Sequence, residues 1–266
     1  MQTAPRYPIL GVLISAVTLE AAAQAVIAAA QAGQPLAVSA LAVHGVMTGA
    51  LDPVQRYRLN HLDMLTPDGQ PVRWALGWLH GVRLRARVYG PDLTLRVCAL
   101  AAEAGLPVFF YGSTPETLAR LRAAVAERFP GLRVHTAPSR FRRESEAEQA
   151  ETAAHIRASG ARLVLCGLGC PRQETWAFEM RDRLGVPVLA VGAAFDFLGG
   201  SKAQAPAWMQ ARGLEWLFRL VREPRRLWRR YLLLNPAYLA LIAMQRVGVR
   251  TPGPAGTPPA APERFG

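Results

Sequence analysis

Three short turns hold most of the side chains that could do chemistry. Thr66-Pro67-Asp68-Gly69-Gln70-Pro71 puts a titratable carboxylate on a tight turn, although an Asp-Gly pair is also what turn geometry favours on backbone grounds alone. Gly167-Leu168-Gly169-Cys170-Pro171-Arg172-Gln173-Glu174 is a glycine-rich turn that opens a helix. Backbone N–H groups at such a helix start attract anionic phosphate, so Gly167 and Gly169 are candidate substrate-binding positions, yet any short strand-to-helix connection can need glycine. In Gly192-Ala193-Ala194-Phe195-Asp196-Phe197-Leu198-Gly199-Gly200, Asp196 stands between two phenylalanines, either to meet substrate or to fix the loop by hydrogen bonds. No metal signature accompanies these turns. Asp-x-Asp and His-x-x-x-His are absent and the five histidines are scattered; His44 and His61 read as structural.

A fourth group is basic. Of a net charge of +12, +7 lies between Arg212 and Arg250, where nine arginines face only Glu215 and Glu223. Lys202 is the sole lysine. Trp208, Trp216, Phe218, Trp228 and Tyr231 lie among the arginines, and such rings suit a lipid headgroup boundary. Basic charge beside aromatics is what an anionic membrane attracts. A solvated arginine face over an apolar one explains the pattern equally well, and charge alone would also draw nucleic acid, but no nucleic-acid-binding motif is present.

These residues must be positioned by something, and the chain offers strands and helices in alternation. Short apolar runs at 8–14, 36–43, 106–111, 132–136, 162–166 and 188–191 read as strands. Helical stretches at 18–32, 53–60, 115–129, 144–159 and 171–184 separate most of them. Continuous apolar strands alternating with helices predict an α/β, Rossmann-like, mainly parallel sheet flanked by helices. In such sheets ligands bind beyond the carboxyl ends of the strands, where the three turns fall. From about residue 205 only helices are expected. The domain reading is therefore a catalytic body over 1–200, a basic amphipathic helical appendage over 201–250 and a disordered Pro/Gly tail over 251–266. The apolar start reads as a buried first strand rather than a signal peptide. The stretch 231–244 is too short to span a bilayer. Cys98, Cys166 and Cys170 suggest reduced cytoplasmic thiols.

Together the segments resemble the WecG/TagA/CpsF family of bacterial glycosyltransferases. The resemblance rests on Leu65-Thr66-Pro67-Asp68-Gly69, Arg87-Val88-Tyr89-Gly90-Pro91-Asp92-Leu93, the turn from Gly167 to Glu174, Phe195-Asp196-Phe197-Leu198-Gly199-Gly200, Ala205-Pro206-Ala207-Trp208-Met209, the run from Gly213 to Leu220, and Glu223-Pro224-Arg225-Arg226. It implies an inverting, metal-independent transfer from a UDP-sugar, of the N-acetylmannosamine type, to N-acetylglucosamine on a polyprenyl diphosphate. No cofactor is implied. Asp68 matches the general base, and Arg87 and Gln173 match active-site residues. Arg219, Arg226 and Arg229 match appendage arginines that complete the site at the membrane. The expected partners are the donor, the lipid-linked acceptor and an anionic membrane surface, with homo-oligomers left open and nucleic acid excluded. The expected place is the cytoplasmic face of the cell membrane, as a peripheral protein.

One departure stands out. Where the family often carries Thr-x-Asn, this chain runs Ser39-Ala40-Leu41-Ala42-Val43-His44, and the two alanines offer no side-chain hydrogen bonds. Ser39 or His44 would have to compensate, or the sugar differs. The competing readings are the same fold using another UDP-hexose in exopolysaccharide synthesis, and a non-catalytic membrane- or anion-binding module.

Overall fold

The computed structural model describes residues 4–249 and 251–266; Arg250, counted in the basic stretch, lies outside them. The chain opens with β1 (Arg6–Ile9) and β2 (Val12–Ser15), an antiparallel pair. Leu10 and Gly11 between them have φ of 50° and 83°, as a two-residue hairpin turn of this hand requires. The apolar run expected as one strand is thus a hairpin, and it stands apart from the main sheet. Leu-Gly lacks the Asn-Gly or Asp-Gly character that would have announced the turn.

α1 (Leu19–Ala32) begins at Thr18, whose hydroxyl accepts from Ala21 N–H, and stops at left-handed Gly33. There follow β3 (Leu36–Leu41), α2 (Val43–Leu51), α3 (Pro53–Asn60), β4 (Met64–Pro67), α4 (Gln70–His80), α5 (Gly90–Glu103), β5 (Val108–Tyr111) and α6 (Pro115–Arg128). Next come β6 (Val134–Ala137), α7 (Glu146–Ala158), β7 (Leu163–Cys166), α8 (Arg172–Leu184), β8 (Pro187–Ala190) and α9 (Gly192–Leu198). Five of these elements, α2, β4, α4, α5 and α9, are not legible as separate units in the sequence, and the stretch from Gly192 that forms α9 reads there as a turn. β4 is only four residues long and ends in proline, and α4 and α5 each carry proline in the first turn, where it is tolerated but looks like a breaker.

The main sheet has six strands in the order β4-β3-β8-β7-β5-β6. Every neighbouring pair is parallel, so the expected Rossmann-like α/β fold is what forms. Both faces are covered. Phe109 and Tyr111 of β5 join one apolar cluster and Phe110 joins the other, which is why its strands read as unbroken apolar runs.

After α9 the chain is helical: α10 (Ala207–Ala211), α11 (Glu215–Arg222), α12 (Pro224–Trp228), a π-helical turn (Arg229–Leu233) and α13 (Leu234–Arg246). α13 returns to the body. Tyr238 and Ile242 are buried in the same cluster as Val46 of α2 and Leu76 of α4, and the Tyr238 hydroxyl donates to the Pro71 carbonyl at 3.3 Å. The change in composition near residue 200 therefore separates kinds of sequence more than it separates packing units. Residues 251–266, expected as a disordered tail, have no regular secondary structure beyond an isolated bridge from Phe265 to Arg143 and touch the body at several points. Thr257 N–H donates to Pro53 O at 2.9 Å and Glu144 N–H to Arg264 O at 3.0 Å. No helix among the described residues is long and apolar enough to cross a membrane.

Candidate active site

The carboxyl ends of all six parallel strands lead into one cavity of about 310 Å³. Ala40 and Ala42 approach it from β3, Asp68 from β4, Ser113 from β5, Phe141 from β6, the Gly167–Cys170 turn from β7 and Gly192 from β8. Lys202, Arg219, Arg226 and Arg230 close the other side. A smaller cavity of about 100 Å³ adjoins it, lined by Arg87, Tyr89, Phe197, Trp216 and Tyr231 among others. Asp68, Arg219 and Arg230 line both.

Asp68 is set by its strand. Its N–H donates to Leu41 O across β3 and β4 at 3.3 Å, and its carboxylate faces the backbone of Gly90. Burial pushes this carboxyl up to about 7; Arg87 opposes the shift, Glu215 reinforces it, and Arg219 and the Gly90 backbone oppose it. A carboxyl poised near neutrality can stand ionised in the ground state and accept and hold a proton as the reaction proceeds.

Arg87 is held rather than free. Its Nη2 donates to Glu215 Oε2 at 2.7 Å and to Gln210 Oε1 at 3.1 Å. Its guanidinium lies 4.1 Å from the Tyr89 ring centre, and the Tyr89 hydroxyl donates to Glu215 Oε1 at 3.0 Å. The pair Arg87–Glu215 thus ties α11 to the segment before α5 and forms a wall of the smaller cavity.

Gln173 works as a clasp between two turns. Its buried Oε1 accepts from Gly192 N–H at 2.9 Å and Gly169 N–H at 3.2 Å, while Nε2 donates to Glu174 Oε1 at 2.9 Å. Gly167 is required by close approach, since a Cβ there would lie 2.5 Å from the Phe195 ring. Ser39, fully buried, spends its hydroxyl on Glu174 Oε1 at 2.9 Å. It does not stand in for the side chains missing at Ala40 and Ala42. His44 lines the smaller cavity, and burial pushes its imidazole down to about 4, with Arg230 acting in the same direction and the nearby Cys170 backbone against it. It is a neutral ring near pH 7.

The cationic wall is a linked set. Lys202 Nζ lies 2.8 Å from Asp196 Oδ2 and 3.6 Å from Glu223 Oε2, and Glu223 pairs with Arg226. Arg219 lies over the Phe197 ring at 5.7 Å. Arg230 is half-buried; burial lowers its pKa, and its buried Nε has no hydrogen-bond partner among the described residues. Arg229 is placed differently from its neighbours: it is exposed, its guanidinium 5.2 Å from the Trp228 ring centre, and it lines neither cavity.

A family model described as Glycosyl transferase WecG/TagA/CpsF family matches residues 7–252, a span that contains every residue lining the two cavities. The chain belongs to this family. It is a glycosyltransferase of cell-surface polysaccharide synthesis, and a glycosyltransferase uses a sugar donor and an acceptor.

For this glycosyltransferase the structure brings Asp68, Gln173, Gly167, Gly169, Asp196, Arg219 and Arg226 onto one cavity, puts Arg87 on its neighbour, and leaves Arg229 outside both. Residues not singled out from sequence join them: Glu215, Tyr89, Lys202, Arg230, Ser113 and Phe141. Lys202 carried a signal, being the lone lysine of an arginine-rich chain. Arg230 replaces Arg229 on the cavity where the π-helical turn begins. Arg230 stands four residues after Arg226, the spacing that brings a side chain back to nearly the same side of a helix, whereas Arg229 at three residues falls to the other side of that line.

Proposed function

We propose that the enzyme transfers a sugar from a UDP-sugar to the terminal sugar of a polyprenyl-diphosphate-linked acceptor, of the N-acetylglucosamine type, with inversion and without a metal, at an anionic membrane surface. The observation that carries this reading is the position of Asp68, a carboxyl poised near neutrality on the boundary of two cavities of unlike lining. The larger cavity, with its glycine-rich turns and four cationic side chains, suits the donor's diphosphate. The smaller, walled by Tyr89, Phe197, Trp216 and Tyr231, suits a sugar ring, whose apolar face packs on aromatics.

In this arrangement the acceptor hydroxyl attacks the donor's anomeric carbon from the side opposite the diphosphate. A bond forms between that oxygen and the anomeric carbon as the carbon–oxygen bond to the diphosphate breaks. Asp68 takes the hydroxyl proton, and the departing oxygen keeps the electron pair as UDP. Arg219, Arg226, Arg230 and Lys202 stand where this negative charge grows, and guanidinium forks match phosphate oxygens. Arg87 and Gln173 act by positioning, the first through Glu215 and the second by holding the two donor-side turns.

The membrane side of the reading rests on exposed apolar residues beside exposed arginines. Trp228, Leu232, Leu233 and Leu239 are all exposed, as are Arg225 and Arg229. Such a face binds anionic lipid by combined burial and charge. Alanines at 40 and 42, lining the donor cavity, favour a donor sugar recognised there by shape, and another UDP-hexose used in exopolysaccharide assembly is the nearest alternative to an N-acetylmannosamine type. The test is a panel of UDP-sugars with a short-chain polyprenyl-diphosphate N-acetylglucosamine acceptor, read by mass spectrometry with and without EDTA. One donor should give a product one sugar heavier, at an EDTA-independent rate. No product with any UDP-sugar, or product that EDTA abolishes, would contradict the proposal.

A further inference from the structure

Asp68 follows one edge strand of the sheet, β4, and Phe141 follows the other, β6. Phe141 is the only aromatic ring among the described residues that line the larger cavity, and it is 50 % exposed. Its backbone is also unusual. Phe141 has φ of 53° and Ser113, at the end of β5, has φ of 64°, both in the left-handed region that residues with a Cβ avoid. The two loops support one another: Ser139 N–H donates to Ser113 O at 3.3 Å, and Phe141 N–H donates to Ser139 Oγ at 2.9 Å. Backbone held this way persists only where its surroundings fix it, and it gathers at ligand sites.

What fixes it is largely the end of the chain. The loop between β6 and α7 is pinned from inside by Arg140, which pairs with buried Glu144 at 2.9 Å and with Glu151 at 3.0 Å. From outside, Glu144 N–H donates to Arg264 O at 3.0 Å and Gly266 N–H to Arg142 O at 3.1 Å. The Phe265 ring centre lies 5.8 Å from the Arg143 guanidinium and 5.7 Å from that of Arg172, the first residue of α8. The last residues of the chain therefore join the Phe141 loop to the glycine-rich turn on the other side of the cavity mouth.

We propose that Phe141 is the platform on which the planar base of the donor's nucleoside diphosphate stacks, and that residues 264–266 hold that platform in place. The inference rests on the donor reading above. If the reacting sugar sits by Asp68 and the diphosphate by Lys202, Arg219, Arg226 and Arg230, the nucleoside must leave in the direction away from Asp68. There the cavity offers one ring, already oriented by a strained loop. Stacking accepts any flat π-face, so Phe141 supplies affinity for the base, while the cations supply affinity for the phosphates.

Calorimetric titration of the full-length protein with UDP and, separately, with inorganic pyrophosphate tests this. Phe141→Ala should weaken UDP binding about tenfold, within the range that removing a base-stacking ring produces, and leave pyrophosphate binding unchanged. Phe141→Trp should bind UDP at least as tightly as the wild type. Phe265→Ala should weaken UDP binding by a smaller factor and spare pyrophosphate. An unchanged UDP affinity in Phe141→Ala, or equal losses for UDP and pyrophosphate, would overturn the stacking role, and wild-type UDP affinity in Phe265→Ala would overturn the tether. A wild-type protein that binds neither probe would overturn the donor reading itself and the platform with it.

Discussion

The two walls of the cavity are built on opposite plans. On the sheet side, groups are fixed by backbone: Asp68 by β-strand pairing, and Gly169 and Gly192 by the Gln173 clasp, with Ser39 and Glu174 behind them. On the helical side the cations sit on short helices separated by a break at Glu223-Pro224 and a π-helical turn, and they are provisionally paired with carboxylates, Lys202 with Asp196 and Arg226 with Glu223. A preorganised wall can orient a sugar and a base, while a wall of exchangeable ion pairs can give up its internal partners when a diphosphate arrives. Catalysis by charge needs donors aimed where charge develops, and Arg230, half-buried and with a buried Nε that has no partner among the described residues, is the member of this wall closest to that description.

The largest effect that would sharpen the contrast is at the arginines. Arg230→Ala and Arg219→Ala should each cut turnover about 10²–10³-fold on a short-chain acceptor without membrane, as loss of a donor to developing charge does. Arg230→Lys should recover only part of this, because it keeps charge and loses the fork. Arg229→Ala should matter mainly when vesicles are present. Equal losses at 229 and 230 on the soluble acceptor would mean that the helical wall rearranges before reaction.

A smaller effect probes the contact between the walls. Glu215 raises the Asp68 pKa and Arg87 lowers it, so Glu215→Gln both removes the raising charge and frees the lowering one. The rising limb of kcat/KM with pH, expected near pH 7 in the wild type, should then move to lower pH. A limb that stays or moves up would separate Asp68 from Glu215. The smallest change concerns the outer face of the helical side. Replacing Leu232 and Leu233, both exposed, by Ser should weaken sedimentation with anionic vesicles by about tenfold or more, given the transfer free energy of two leucines. Unchanged partitioning would remove this face from the membrane.

The same contrast explains what could be read from the sequence. The parallel sheet, the glycine-rich turns, Asp68 and the basic stretch are local patterns, and local patterns are visible one window at a time. Arg87 with Glu215, 128 residues apart, and Ser39 with Glu174, 135 apart, are pairings made only by the fold, so neither Glu215 nor the occupied state of Ser39 could be seen. The hairpin at Leu10-Gly11 was hidden by an uninformative turn residue. Helical spacing places Arg229 and Arg230 both near the face of Arg226, and which of the two lines the cavity is decided by packing that the sequence does not show. Phe141 gave no signal at all: its φ and the chain terminus that pins it depend on contacts across the molecule.

The central claim is that one carboxylate serves both cavities as the base, and Asp68→Asn tests it most directly because the amide keeps the shape of the turn and cannot take the proton. Single-turnover rates and UDP titrations on the same protein should show a rate lower by about 10²–10⁴-fold, the usual contribution of a general base, with UDP affinity nearly unchanged. A rate close to that of the wild type would make Asp68 a turn residue, and would contradict the account.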